Sequence, residues 1–310
     1  MPLPPTLYCG PSGWSYPHWN GIVYPRQKRR GFHPLEEMAR YFDAVEINTT
    51  FYQPLRPEIS GLWLKKVSHN PRFLFTAKLG RRFTHERLMG ESEVALFKDG
   101  LWPLLRARKL GCLLMQFPWT FRYTEENREY LIALRRAFHE FPLVAEMRHG
   151  SWMREEALGT LIDYHVGFAN IDQAAYTKAT PPSSFVTSPI GYVRLHGRNP
   201  ADWQREFGRT SKHIAAHDYL YSKKELLEWK PRIEHVLQHS ARTFVFANND
   251  VGGKSVVNAL QLAEMLGDTR RLAPLDLIAR FPEELGDFHS ERPVQNSLFP
   301  DYGLDHRAVA

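Results

Sequence analysis

At 310 residues, with 43 % apolar side chains, the chain is long enough for one large α/β domain or two ordinary ones, and neither end carries an apolar run or a basic-then-apolar leader, so neither secretion nor a membrane span is expected. Only Cys9 and Cys112 are present, both in apolar runs without a Cys-x-x-Cys spacing, which excludes a disulfide framework or zinc site and leaves a cytoplasmic protein as the expectation. The formal charge of +6 favours anionic partners such as phosphorylated metabolites or nucleic acid, while the basic clusters at 26–30, 81–82, 106–109 and 270–271 read equally well as solvated faces.

Residues 7–10 predict a first strand, left through Pro11, Ser12, Gly13, Trp14, Ser15, Tyr16 and then Trp19, an aromatic loop suited to stacking a planar ligand or plugging a barrel top. Helical spacing follows over 33–42. A second strand, 43–48, puts Glu46 and Asn48 on one face and leads into Thr49, Thr50, Phe51 and Tyr52. Pro57 then opens a helix through Leu62, Leu64 and Val67. In the third strand, 73–79, Leu74, Thr76 and Lys78 alternate with Phe73, Phe75 and Ala77, and Arg81, Arg82, Thr84 and His85 lie beyond it. A helix is predicted over 92–110, bent or interrupted at Pro103. Residues 111–117 are almost wholly apolar, as a strand covered on both faces should be, with Gln116 the lone polar side chain. Thr124 starts a helix with Leu131, Leu134 and Phe138 along one face.

The stretch 144–152 combines a strand, a sharp exit and a helix start. Glu146 and Arg148, at i and i+2, project together; Gly150 permits the turn, and Ser151 is the expected cap of a helix carrying Leu158, Leu161 and Ile162. A carboxylate and a guanidinium at the tail of a buried strand are costly unless paired. A sixth strand, 166–171, ends at Asp172, and the Pro-, Ser- and Thr-rich 174–189 offers no helix. In the seventh, 190–195, Arg194 shares a face with His196, and Gly197 and Arg198 form the exit to a polar loop over 199–217. Ser222 and Glu225 make a capping box for a helix with Leu226, Trp229, Ile233 and Val236. The eighth strand, 242–247, closes on Asn248, Asn249 and Asp250 before a helix through Val256, Ala259, Leu260 and Ala263.

Eight strands in alternation with helices or helix-sized spacers predict a TIM-type (β/α)8 barrel over residues 1–268, followed by an extension over 269–310 that is packed or mobile. No Gly-x-Gly-x-x-Gly follows the first strand, so no nucleotide cofactor is expected. In such a barrel the carboxyl ends of the strands form one mouth, and Glu46, Asn48, Lys78, Gln116, Glu146, Arg148, Asp172, Arg194, His196, Asn248 and Asp250 all fall there.

Three chemical readings compete. Lys78, Arg82, Arg148, Arg194 and Arg198 suit an anion cradle, since guanidinium groups grip phosphate oxygens two at a time. Glu146, Asp172, His196 and Asp250 offer O/N ligands to a divalent metal that activates water, although no local spacing marks them as a set. Glu46 and Glu146 could act as acid and base on a sugar stacked by Trp14, Tyr52 and Trp152. His85, His149 and His196 are candidate proton carriers. The structural alternative is a polar plug in which Glu46 and Glu146 neutralise Arg148, Arg194 and Lys78.

The runs Gly13-Trp14-Ser15-Tyr16, 45–52, Lys109-Leu110-Gly111 with Gln116-Phe117-Pro118, 146–152, 193–198, 218–222 and Phe246-Ala247-Asn248-Asn249-Asp250 together resemble the YecE-like family, domain of unknown function 72, over about residues 7–266. The resemblance implies a TIM-type barrel and brings no established reaction; a small departure is Gly150, where the family often has Pro. Separately, Gln295, Ser297, Leu298 and Phe299 fit the Gln-x-Ser/Asp-Leu-Phe pattern by which bacterial replication and repair enzymes dock on the sliding clamp, with Gln anchoring and Leu and Phe filling an apolar pocket; packing of Leu298 and Phe299 on the barrel is the alternative.

These readings combine into an expected TIM-barrel hydrolase for a phosphate-bearing substrate, DNA or RNA, acting by metal-assisted or acid/base phosphodiester cleavage. Its catalytic residues would be Glu46, Glu146, His196 and Asp250, with substrate held by Trp14, Asn48, Tyr52, Lys78, Arg82, Gln116, Arg148, Arg194, Arg198 and Asn248. The alternatives are a sugar or sugar-phosphate hydrolase or isomerase using Glu46, Glu146 and His196, and a non-catalytic barrel, favoured if carboxylates and arginines are fully mutually paired.

Overall fold

Short runs that are apolar on both faces leave no side for water and must be covered all round. In the computed structural model, which describes residues 6–199 and 217–290, they form β1 (Thr6–Pro11), β2 (Ala44–Ile47), β3 (Leu74–Lys78), β4 (Leu110–Gln116), β5 (Leu143–Glu146), β6 (Val166–Asp172), β7 (Ile190–Leu195) and β8 (Arg242–Ala247). All neighbours pair in parallel in the order β1-β8-β7-β6-β5-β4-β3-β2. The ring closes between β1 and β2 at one parallel bridge, Ser12 to Glu46, where the Gly13 N–H donates to the Glu46 carbonyl at 2.9 Å. This is a TIM-type (β/α)8 fold.

The seam is tight. A Cβ on Gly10 would stand 1.9 Å from the Ala44 carbonyl oxygen, so Gly10 lets β1 approach β2. Gly10→Ala is expected to cost about 1 to 3 kcal/mol, read as a lower urea midpoint at unchanged m value. A midpoint equal to that of the wild type would show that the seam yields.

Helices fill the outer layer at the predicted places. His33 accepts from Leu35 N at 3.2 Å to start Pro34–Tyr41, Thr124 accepts from Asn127 N at 3.3 Å to start Glu125–Ala137, and Ser222 with Glu225 caps Lys223–His239 reciprocally. Between β6 and β7 residues 173–189 contain no helix; Asn170 holds this segment, accepting from Phe185 N at 2.8 Å and Ser183 Oγ at 2.7 Å.

Some boundaries differ from the sequence expectation. The long helix between β3 and β4 is Glu91–Arg106; it runs through Pro103, and Leu110 already belongs to β4. Ser151 caps no helix, since Arg154 precedes Glu155–Asp163; instead its hydroxyl accepts from Tyr123 N at 2.8 Å and contacts His149 Nδ1 at 2.8 Å. Leu62 and Ile162 face solvent rather than the core. Beyond the last barrel helix, Lys254–Met265, the short helices Leu275–Arg280 and Pro282–Leu285 bury Leu277, Leu285 and Phe288 against the outer layer. The motif at Gln295, Leu298 and Phe299 and most of the 199–217 loop lie outside the described residues. No helix among those described is long and apolar enough to cross a membrane.

The lumen has an apolar floor and a charged top. Tyr8, Leu74, Leu114, Val144, Ile171, Tyr192, Phe244 and Phe246 fill its lower part, with the Tyr8 and Phe244 rings stacked at 5.3 Å. Both thiols are free and buried.

Candidate active site at the barrel mouth

The two-residue period that sends Tyr192 and Phe246 into the floor sends Ser12, Glu46, Lys78, Gln116, Glu146, Arg194 and His196 into the lumen above it. Arg194, fully buried, lies across the ring: Nη2 donates to Glu46 Oε1 at 2.7 Å, while Nη1 donates to Glu146 Oε2 at 2.5 Å and Gln116 Oε1 at 3.2 Å. Glu46 also accepts from Ser12 Oγ and, at 2.7 Å, from Tyr192 OH, with Lys78 Nζ 3.8 Å away. Glu146 accepts from Arg148 Nε at 2.9 Å and has His196 Nε2 at 3.2 Å. His196 Nδ1 lies 3.0 Å from Asn248 Nδ2, which assigns Nδ1 as acceptor and Nε2 as the protonated nitrogen facing Glu146. Asn48 joins the same layer through Ser12 Oγ at 3.1 Å and Tyr16 OH at 3.1 Å.

These contacts fix the protonation states. Burial alone would raise the Glu46 carboxyl, but Arg194, Lys78 and the Ser12 and Tyr192 hydroxyls outweigh it and hold it below the ordinary value. Glu146 is held well below by Arg194, His196 and Arg148 against the same burial. Burial, helped by Arg148 and Arg194, pulls His196 down to about 3 despite Glu146, so the ring is neutral near pH 7. Burial and the neighbouring Arg194 bring Lys78 down to about 8, with Glu46 and Glu146 acting in the opposite direction.

Several expected site residues are not gathered here. On β6 the lumen face carries Ala169 and Ile171, so Asp172 points outward, where it accepts from Arg198 Nη2 at 2.8 Å, Tyr221 OH at 3.1 Å and Trp229 Nε1. Arg198 is held there with Glu225 and Glu228, and Arg82 pairs with Glu93. The five cations expected to form one cradle are therefore not gathered as a set: Arg82 and Arg198 are engaged elsewhere, Arg194 is fixed between two carboxylates, and Lys78 and Arg148 stand beside Glu46 and Glu146. Asp250 sits at the β8 exit beside His18, 3.5 Å away. With Asp172 turned outward the four-residue metal set does not form, and among the described residues no group of three or more His, Cys, Asp or Glu is arranged to hold a metal.

Trp14 and Trp152 are also corrected as stacking platforms: Trp14 packs edge-on to Trp63 at 5.0 Å and Trp152 lies flat on Phe121 at 5.5 Å, both in the outer layer. Tyr52 remains 65 % exposed at the β2 exit. A sugar-cleaving acid needs a raised carboxyl, and neither Glu46 nor Glu146 has one. His85 stands edge-on to Phe51, and His149 is buried against Trp119 and Ser151. Sequence reasoning missed Ser12 as a ligand of Glu46, and Tyr192, which stepping back two residues from Arg194 would have found.

Residues 8–282 match the family model described as protein of unknown function DUF72. The chain belongs to the DUF72 family. Among curated relatives, it is 27 % identical over 285 residues to UPF0759 protein YunF of Bacillus subtilis (strain 168), covering 87 % of this chain and 99 % of that one. It is 32 % identical over 117 residues to UPF0759 protein YecE of Escherichia coli (strain K12), 37 % of this chain and 39 % of that one. A DUF72 family protein from Thermotoga maritima MSB8 has a solved structure that superposes with a TM-score of 0.73 at 30 % identity, over 85 % of this chain and 100 % of that one. A second DUF72 structure, from Enterococcus faecalis V583, gives 0.73 at 25 % identity over 84 % and 95 %.

Proposed function

We propose that this DUF72 barrel binds a small anionic ligand at its mouth through Lys78 and Arg148. The supporting observation is a charge count. Among the described residues three cations, Lys78, Arg148 and Arg194, face two carboxylates, Glu46 and Glu146, while His196 is neutral, so that these groups sum to one positive charge. Arg194 is wholly enclosed, whereas Lys78 and Arg148 keep 12 % and 7 % side-chain exposure, so an incoming anion would meet those two.

A phosphate-bearing molecule fits that class, as the composition led us to expect. A nucleic-acid strand fits less well, because Arg82 and Arg198, which would extend the cradle outward, each stand against a carboxylate. Inorganic phosphate at constant ionic strength is expected to raise the melting temperature of the wild type, by the equivalent of about 1.4 kcal/mol at ten times its Kd. Lys78→Met and Arg148→Met are expected to lose most of that rise. An undiminished rise in both variants would reject the site.

A further inference from the structure

We infer that Lys78 is a carbonyl-capturing amine, which forms an iminium adduct with a ligand bearing an aldehyde or ketone next to its anionic group, a 2-oxo acid being the simplest example. That ligand class deepens the anion site proposed above and rests on it.

Lys78 differs from every other charged group in the layer. Arg194 is held by two carboxylates, Arg148 by Glu146 and by Gln173 at 3.2 Å, and His196 by Glu146 and Asn248. The Lys78 ammonium has three donors and, among the described residues, no acceptor within hydrogen-bond distance; Glu46 Oε1 stands at 3.8 Å and the Phe51 ring centroid at 6.0 Å. It sits at the carboxyl end of β3 on the lumen side, where barrel side chains meet ligands. Its surroundings also keep part of it neutral: with a pKa of about 8, roughly a fifth is free amine at about pH 7.4, against about a thousandth for an ordinary surface lysine. Only the free amine attacks carbonyls.

The step balances without an oxidant or reductant. The Lys78 nitrogen lone pair forms a bond to the carbonyl carbon as the C=O π pair moves to oxygen, and one proton passes from nitrogen to oxygen to give the carbinolamine. The C–O bond then breaks, the hydroxyl leaving as water with a proton taken from solvent. The iminium carries the same single positive charge as the ammonium, so its attraction to Glu46 is retained, and the carboxylate of a 2-oxo acid lies towards Arg148.

The full chain incubated with pyruvate, or in parallel with glyoxylate, and reduced with sodium borohydride is expected to gain one reduced adduct, mapped by peptide mass to Lys78 and formed at least about tenfold faster than on any other lysine. Inorganic phosphate should slow the labelling, and Lys78→Arg, which keeps a cation beside Glu46, should abolish it. Labelling spread evenly over the lysines, equal labelling of Lys78→Arg, or no adduct with either acid overturns the inference. Phosphate binding without an adduct removes carbonyl capture and leaves the anion site; an adduct at Lys78 in a protein indifferent to phosphate keeps capture and removes the anion site.

Discussion

Arg194→Met is expected to lower the unfolding free energy by about 3 to 5 kcal/mol, the usual cost of removing one partner of a buried ion pair. Methionine is long and apolar enough to occupy much of the same space, so the loss is electrostatic rather than a cavity effect. Glu46 and Glu146 would be left buried, with Lys78 and Arg148 as their remaining cations, and Gln116 would lose a donor. The triple variant Glu46→Gln/Glu146→Gln/Arg194→Met removes all three charges and should recover much of the loss, since a neutral set has no desolvated charge to compensate. Urea unfolding of the three proteins measures this, and a single-variant loss under about 1 kcal/mol would mean that Arg194 does not bind the layer together.

The second large effect is a pH dependence set by His196. Its folded-state pKa is depressed to about 3 by burial and by Arg148 and Arg194, against the pull of Glu146. The unfolded chain takes up a proton near pH 6.5 that the folded chain refuses until about 3. Stability is therefore full above about 6.5 and falls as the pH drops towards 3, by about 2 to 3 kcal/mol between pH 6.5 and 4.5. Glu46 and Glu146 are also depressed, but their unfolded values lie near 4.3, so their stabilisation is lost below this window. His149, lowered by burial with Arg122 and Lys178 nearby, and His33, lowered by burial and Lys66, add smaller slopes of the same sign. His196→Gln retains hydrogen-bonding capacity towards Glu146 and Asn248 and is expected to flatten most of the slope; chemical denaturation at several pH values reads it. A slope as steep in the variant as in the wild type would place the titrating group elsewhere.

The architecture could be read from the residues because a barrel strand states its type twice, by apolar character on both faces and by its length between turn formers. Alternation located Glu46, Glu146 and Arg194 on the lumen side, since each lies an even number of residues from an apolar floor residue on its own strand. It did not place Asp172, which follows the lumen-facing Ile171 by one residue and so points outward, and its hydrogen bonds to Tyr221 and Trp229 come from chain 49 and 57 residues away that no local pattern ties to β6. Trp14 and Trp152 misled for a related reason: an aromatic after a strand end suits a stacking platform and a packing wedge equally, and only the neighbours Trp63 and Phe121 decide between them. Residue type could also not tell which cations were already engaged. Arg198 and Lys78 look alike in the sequence, yet one is locked into three carboxylates and the other has a single distant one.

Arg194 reaches from β7 to carboxylates on β2 and β5, walls separated by other strands in either direction around the ring. It acts as a strut that sets the bore of the cylinder at this height, because widening it would pull two buried ion pairs apart. The throat is thereby held to one size, whereas side chains at the strand exits, such as the exposed Tyr52, stand outside those pairs.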